Sequence, residues 1–192
     1  MANFRDPRIN AVLSFWFGPN PASPRPQWFK TDPAFDRAIT QLFATDYERA
    51  RAGDLHAWDA SPPGALALTI LLDQFPRNMF RDSPRAFESD GIALDGARRM
   101  TAMHWDDRLN AHERQFAYLP FEHAEQLEAQ KASMFHFGRL ADEHGSHDLL
   151  EWARKHYVIV ERFGRFPHRN AVLGRAPTPE ETEFLQGPDS RF

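Results

Sequence analysis

Residues 63–76, with the sequence PGALALTILLDQFP, decide the fold class of this chain. From Ala65 to Leu72 the segment is apolar almost all round, so a helix formed here has no polar side to turn toward water. Such a helix lies buried among other elements. The pattern predicts a central helix that begins near Pro63 and ends at Phe75-Pro76, because proline lacks the N–H that continues a helix.

Helical signals extend outward from this segment in both directions. Apolar residues recur at helical spacing, and no stretch alternates apolar and polar residues as a strand would. Four dipeptides place a side-chain oxygen before a proline, the typical start of a helix: Asp6-Pro7, Asp32-Pro33, Ser83-Pro84 and Thr178-Pro179. The predicted helices cover residues 7–17, 33–52, 63–75, 84–104, 111–119, 121 onward, 128–144, 148–166 and the stretch from 179.

The fold class that follows is all-α, with antiparallel helix pairs, essentially no sheet and a single domain over residues 1–192. Pro120 is expected to kink its helix or divide it into two. Asn110 with Glu113, and Thr178 with Glu181, have the spacing of capping boxes at helix starts.

The composition narrows the classes of function. The chain has 17 Phe and 5 Trp but no Cys, which allows a full core and excludes disulfides, thiolate metal sites and cysteine nucleophiles. Its net charge of −4 argues against general nucleic-acid binding. No apolar run is long enough to cross a bilayer, and residues 1–6 lack the apolar stretch of a signal peptide. We therefore expect a cytoplasmic protein with no membrane association.

Asp73 and Arg77 interrupt the apolar face of the central helix. Ile70 and Leu66 occupy the same face one and two turns before Asp73, so the acid and the arginine stand where core residues are expected. One interpretation is a structural ion pair at the end of the helix. The other is a polar pocket that Arg77 faces.

A second interruption follows the Pro120 break. His123 continues the face of Phe116 and Leu119, and Glu122 follows Tyr118. His156 lies on the apolar face of a later helix. A histidine in such a place usually bonds a nearby carbonyl or carboxylate. Beside a proline break it can also face a cleft and bind a ligand.

The segment after Glu161 contains no acidic residue until Glu180. It carries five groups that can be positively charged: Arg162, Arg165, His168, Arg169 and Arg175. Guanidinium groups bind carboxylates and phosphates in a bidentate manner, which makes this segment a candidate anion-binding surface. The alternative is that these arginines pair with acids from other helices.

Motifs of established chemistry do not occur in the sequence. It has no H-E-x-x-H, no P-loop, no G-x-G-x-x-G and no G-x-S-x-G, and we expect neither a metal nor a cofactor. A metal site built from Glu122, His123, His156 and His168 would require the fold to bring these residues together.

Four blocks stand in order along the chain: VLSFWFG at 12–18, LDQFPRN at 72–78, LPFEH at 119–123 and RFGRFPHRN at 162–170. With LGR at 173–175 and TPEE at 178–181, they resemble a bacterial family catalogued as domain of unknown function 924. This resemblance implies a single-domain, tetratricopeptide-like superhelix and assigns no activity.

The blocks coincide with the polar interruptions, so we expect the interrupting residues to converge on one polar cavity. The candidate residues are Asp73, Arg77, Glu122, His123, His156, Arg165, His168 and Arg169. The predicted function is binding of a small anionic ligand or peptide in this arginine-containing groove. The alternative is an enzyme in which Glu122 and a histidine perform acid–base chemistry on an anionic substrate.

Overall fold

The computed structural model describes residues 6–28, 30–188 and 190. Every regular element in these ranges is helical and none is a strand, which confirms the all-α class. The α-helices are α1 (Pro7–Phe17), α2 (Pro33–Arg51), α3 (Pro62–Thr69), α4 (Phe75–Met79), α5 (Asp90–Ala102), α6 (Ala111–His123), α7 (Leu127–His144), α8 (His147–Phe163) and α9 (Pro179–Phe184). A π-helical segment, Ile70–Gln74, joins α3 to α4.

Two compact units make up the chain. The first comprises the described residues of Met1–Arg81 and Arg85–Pro120, and the second those of Asp82–Pro84 and Phe121–Phe192. The single domain and the tetratricopeptide-like superhelix therefore stay predictions. Within the described residues, no helix combines the length and the apolar character that crossing a bilayer requires. Residues 1–5, on which the expectation about a signal peptide depends, lie outside the described ranges.

The core of the first unit forms around α3, as the apolar segment predicts. Helix α3 packs against α1 and α5, and Leu66, Ile70 and Leu71 are completely buried. Aromatic rings fill the space beside it, with the Trp16 ring centroid 5.8 Å from that of Phe75.

The central helix does not end at Phe75-Pro76 as the sequence predicts. It widens into the π-helical segment, where the N–H of Phe75 bonds to the carbonyl of Ile70, five residues earlier, and then continues to Met79. Pro76 has no N–H for the Leu72 carbonyl, and the Ser89 hydroxyl donates a 2.6 Å hydrogen bond to that carbonyl instead. A donor from another part of the chain thus lets the helix pass through a proline.

Three other predicted boundaries differ from the structure. Helix α5 begins at Asp90 rather than Pro84, because the preceding segment contacts α2, with the Tyr47 hydroxyl donating to Glu88 at 2.9 Å. Helix α6 runs through Pro120 without dividing. Helix α8 ends at Phe163, where Gly164 adopts a left-handed conformation with φ of 69°.

The second unit is built on the hairpin of α7 and α8. Only Gly145 and Ser146 separate the two helices, which pack against one another, so the chain reverses direction between them. Ile159, Val160 and Phe166 form a buried cluster that Phe163 and Phe184 cover.

Candidate functional site

The eight candidate residues divide between the two units. Asp73 and Arg77 belong to the first unit, and the other six belong to the second. The expectation that all eight line one cavity therefore stays a prediction.

In the first unit, Asp73 and Arg77 take part in an ion-pair network at the end of the central helix. The Arg77 guanidinium donates to both carboxylate oxygens of Asp90, at 2.9 and 3.1 Å, and lies 3.4 Å from the completely buried Asp73 carboxylate. Gln74 donates to the other oxygen of Asp73 at 2.6 Å. These contacts fit the structural interpretation of the pair better than a polar pocket.

In the second unit, Glu122 and His156 form a buried pair. The Nδ1 atom of His156 lies 3.3 Å from Oε1 of Glu122 and 2.9 Å from the carbonyl oxygen of Trp152. Two oxygen acceptors at Nδ1 assign the ring proton to that nitrogen. A carboxylate that orients an imidazole in this way is a common element of acid–base sites.

Phe166 organises the residues around this pair. Its ring centroid lies 5.5 Å from that of His156 and 5.6 Å from that of His168, and the Arg169 guanidinium carbon lies 4.5 Å from it. The His123 ring is 6.4 Å from the His156 ring. We name Glu122, His123, His156, His168 and Arg169 around Phe166 the Phe166 cluster.

The pKa of His156 is lowered to about 3, mainly by burial and also by the positive charges of His123, Arg169 and His168. The hydrogen bond to the Trp152 carbonyl opposes this shift. A carboxylate at 3.3 Å also favours the charged ring, but desolvation of a side chain this deeply buried outweighs it. His156 is therefore neutral near pH 7.

Gln130 on α7 fixes the backbone that carries Glu122. Its side-chain amide donates to the carbonyls of Glu122 and Ala124, at 2.7 and 2.8 Å. These acceptors lie at the C-terminal end of α6, where carbonyls lack helical partners. The end of α6 is thereby attached to α7.

Glu125 fixes the backbone that carries Phe166. Its carboxylate accepts a 2.7 Å hydrogen bond from the Phe166 N–H and two more from the Arg175 guanidinium, at 2.6 and 2.9 Å. Burial opposes ionisation, but these hydrogen bonds and the charges of Arg175 and Arg169 lower the pKa of Glu125 overall. An ionised Glu125 therefore holds the segment after α8 in place.

Most arginines of the acid-free segment contact glutamates outside it. Arg165 forms two hydrogen bonds with Glu181, at 2.6 and 2.7 Å, and Arg162 contacts Glu180 at 2.8 Å. With Arg175 bound to Glu125, these contacts support the structural alternative for Arg162, Arg165 and Arg175. Arg169 is buried, at 6% exposure, and its guanidinium carbon lies 4.5 Å from the Phe166 ring centroid.

Within the described ranges, no group of three or more His, Asp or Glu side chains is arranged to hold a metal ion. The hypothesis of a metal bound by Glu122, His123, His156 and His168 therefore has no geometric support.

The sequence identified the polar members of the Phe166 cluster as candidates. It did not identify the residues that hold them in position. Gln130 gives no signal, because a single Gln on a helix is ordinary. Glu125 is the second acid after the Pro120 break, yet its partner Phe166 is 41 residues away. Glu181 was expected only as part of a capping box, which forms as predicted.

Comparison with known proteins places the chain in a family. A model of a family described as bacterial protein of unknown function, DUF924, matches residues 12–189. No curated protein matches the chain. A solved structure of a protein of unknown function from Agrobacterium tumefaciens is 36% identical, with a TM-score of 0.83 over 94% of this chain and 98% of that one. The chain thus belongs to the DUF924 family of bacterial proteins of unknown function.

Proposed function

We propose that the second unit binds a small anionic ligand, or an anionic group of a peptide, at the Phe166 cluster. The observation that carries this proposal is the position of Arg169, whose guanidinium stacks on the buried Phe166 ring at 4.5 Å, with His168 on the same ring. His123 adds a third group that can carry positive charge. A concentration of such groups attracts anions.

Arg169 is suited to this role by the shape of its guanidinium and by the contacts that hold its side chain. The guanidinium is a planar fork that binds carboxylate or phosphate oxygens in a bidentate manner. Contact with the Phe166 ring restricts the Arg169 side chain, and the hydrogen bond from the Phe166 N–H to Glu125 holds the backbone of Phe166. A side chain held in advance loses less entropy when a ligand binds.

Thermal unfolding with and without sulfate, phosphate, acetate and an acidic peptide tests the proposal. We expect at least one anion to raise the Tm of the wild-type protein. The Arg169→Lys variant keeps the positive charge but loses the planar guanidinium. We therefore expect the anion to raise the Tm of this variant at most half as much as that of the wild-type protein. Arg162→Lys is the matched control, because Arg162 lies in the same segment, is exposed and pairs with Glu180.

The proposal would be contradicted if anions raised the Tm of Arg169→Lys and Arg162→Lys equally. It would also be contradicted if no anion raised the Tm of the wild-type protein. Arg165→Lys tests whether this residue also contributes, as the sequence predicts. Its two hydrogen bonds to Glu181 lead us to expect a shift close to that of the wild type.

A second candidate function rests on the 3.3 Å contact between Glu122 and His156. An imidazole held by a carboxylate can transfer a proton to or from a bound substrate, which would make the protein an acid–base enzyme. Hydrolysis of a panel of phosphate and carboxylate esters tests this. Turnover that Glu122→Gln reduces at least tenfold would support catalysis, and equal rates in both proteins would contradict it.

The cytoplasmic location stays a prediction, which cell fractionation tests.

A further inference from the structure

Helix α9 is anchored to the second unit by a buried carboxylate. Glu181 accepts two hydrogen bonds from the Arg165 guanidinium, at 2.6 and 2.7 Å, and one from the Asn170 side-chain amide at 3.2 Å. Hydrogen bonds from Arg165 are the largest cause that lowers the pKa of Glu181 to about 2. A pKa this low means that the surrounding donors favour the ionised carboxylate. Arg165 and Asn170 thus form a carboxylate-binding site, and Glu181 occupies it.

An aromatic contact lies one helical turn after this carboxylate. The Phe184 ring centroid is 5.0 Å from that of Phe163 at the end of α8, and the Arg162 guanidinium carbon lies 4.7 Å from the Phe163 ring centroid. Arg162 also pairs with Glu180 at 2.8 Å. The residues that receive α9 are named the α9 surface and comprise Arg162, Phe163, Arg165 and Asn170. Two guanidinium groups beside an aromatic ring fit an acidic segment that also carries an aromatic side chain.

Several features favour local detachment of α9. It has six residues, too few for a helix that is stable by itself. Among these six residues only Glu181 is buried, and the Arg162–Glu180 pair is exposed, where ion pairs contribute little to stability. The connection over residues 175–178 has no regular structure, and residues 176–180 are exposed. A short segment with so few buried groups opens without unfolding the rest of the protein.

Helix α9 also leaves one buried acceptor of the α9 surface unused. The Asn170 side chain belongs to a residue that is 2% exposed, and within the described ranges its Oδ1 atom accepts no hydrogen bond. A buried acceptor without a donor is unfavourable. An occupant that supplies a donor beside its carboxylate satisfies Asn170 better than α9 does.

We propose that α9 is a displaceable internal ligand, and that the α9 surface binds an acidic segment of another protein in its place. The segment has a glutamate followed three residues later by a phenylalanine, which is the spacing of Glu181 and Phe184. The glutamate binds Arg165 and Asn170, and the phenylalanine packs on Phe163. None of the residues of the α9 surface belongs to the Phe166 cluster, so this proposal does not depend on anion binding there.

A peptide with the sequence of residues 176–187, APTPEETEFLQG, is the probe. Fluorescence anisotropy of the labelled peptide measures its affinity for the 192-residue chain. In the wild-type protein, α9 competes with the peptide at a high effective concentration, whereas Glu181→Gln in the protein weakens the attachment of α9. We therefore expect this variant to bind the peptide at least about tenfold more tightly than the wild-type protein does.

Glu183→Gln in the protein is the matched control. Glu183 is an exposed acid on the same helix, so its replacement removes the same charge without touching the α9 surface. The affinity of this variant for the peptide should equal that of the wild-type protein. Arg165→Lys, added to Glu181→Gln, removes the planar guanidinium and should weaken peptide binding several-fold.

Variants of the peptide test the two side chains that define the segment. Glu181→Gln and Phe184→Ala in the peptide should each weaken its binding to the Glu181→Gln protein at least about tenfold. Glu183→Gln in the peptide should change its binding little. Equal binding of all these peptides would overturn the proposed recognition of a glutamate and a phenylalanine.

Hydrogen exchange in the wild-type protein measures detachment without any substitution, in case Glu181→Gln fails to fold. The amides of Thr182 and Leu185 bond to carbonyls within α9 and its cap. They should exchange through local opening, faster than the amide of buried Val160 on α8 and at a rate that low concentrations of urea leave unchanged. Exchange of the α9 amides only through global unfolding would overturn the proposal.

The remaining outcomes are equally decisive. No peptide binding by the folded Glu181→Gln variant, or equal binding by the Glu181→Gln and Glu183→Gln variants, would mean that α9 is a fixed part of the fold. A wild-type chain that dimerises by exchanging α9 would assign the α9 surface to a second copy and overturn its assignment to another protein.

Discussion

The carboxylate of Glu125 accepts a 2.7 Å hydrogen bond from the backbone N–H of Phe166, 41 residues further along the chain. The same carboxylate binds the Arg175 guanidinium. One side chain after α6 thus determines where the segment bearing Phe166, His168 and Arg169 lies.

Glu125→Gln should loosen this segment. The neutral amide loses the charge-assisted bonds to Arg175 and leaves that guanidinium without its carboxylate, so we expect a loss of about 2 kcal/mol in the free energy of unfolding. Urea denaturation measures it. Hydrogen exchange should also accelerate at the Phe166 amide, which no longer donates to a carboxylate.

Glu128→Gln is the matched control for this experiment. Glu128 is an exposed acid on α7 that pairs with Lys131, so its replacement should leave both stability and Phe166 exchange nearly unchanged. Similar effects of the two substitutions would mean that Glu125 does not hold the segment bearing Phe166 in place.

Ser89→Ala should destabilise the first unit through the Leu72 carbonyl. In a regular α-helix this carbonyl would accept from residue 76, but Pro76 has no N–H, and the Ser89 hydroxyl donates to the carbonyl at 2.6 Å instead. Leaving a buried carbonyl unbonded costs about 1–3 kcal/mol. In a Pro76→Ala background the N–H of residue 76 becomes available, so the cost of Ser89→Ala should fall to less than half. Urea denaturation of the four proteins measures both costs, and equal costs in the two backgrounds would rule out this explanation.

The Arg165–Glu181 pair should contribute to acid denaturation. Hydrogen bonds from Arg165 are the largest cause that lowers the pKa of Glu181 to about 2, with a further bond from the Thr178 N–H. The pKa of Glu181 is therefore lower in the folded state than in the unfolded one, so its ionisation adds to the free energy of unfolding. This contribution is fully present above about pH 4.3 and is lost as the pH falls toward about 2.

Glu181→Gln should therefore reduce the free energy of unfolding at neutral pH by about 1–3 kcal/mol, with a difference from the wild type that shrinks as the pH falls. Urea denaturation at neutral and acidic pH measures this. Glu180→Gln is the control because Glu180 is an exposed neighbour on the same helix, and its replacement should change little. A difference that stays constant with pH would show that the ionisation of Glu181 is not the cause.

His156 should stay neutral throughout the physiological range. Burial is the largest cause that lowers its pKa to about 3, so its ring NMR signals should not shift between about pH 8 and pH 5. Since the unfolded state binds the proton more readily, His156 should also reduce stability as the pH falls from about 6.5 toward 3. A midpoint for His156 near pH 6.5 would contradict this assignment.

Local signals were sufficient for most of the helical structure. Asp6-Pro7, Asp32-Pro33 and Thr178-Pro179 start helices as predicted, because a cap and a proline act within one turn. The Asn110–Glu113 box also forms, with hydrogen bonds of 2.9 and 3.1 Å. At Ser83-Pro84 the start signal produces only the three-residue 3-10 helix Pro84–Ala86, and the predicted long helix begins later, at Asp90. The stop signal at Phe75-Pro76 failed, because a distant hydroxyl replaces the N–H that proline lacks.

The candidate site was accessible from sequence only in part. Helical phase identified Glu122, His123 and His156 as polar residues on apolar faces, and the missing acids drew attention to His168 and Arg169. Which arginines are paired could not be predicted, because Glu125, Glu180 and Glu181 reach them from other parts of the chain.

By itself, the sequence determined that this protein is helical, that the apolar segment 65–72 lies in the core, and that its polar interruptions are confined to a few blocks. All residues of this segment except Leu68 are buried. These properties follow from the apolar period and from caps, which depend on neighbours within a turn or two. The tertiary structure alone decided that Ser89 lets a helix pass through Pro76 and that Glu125 holds Phe166. Both contacts join residues far apart in the chain, and no local pattern encodes which donor meets which acceptor across that separation.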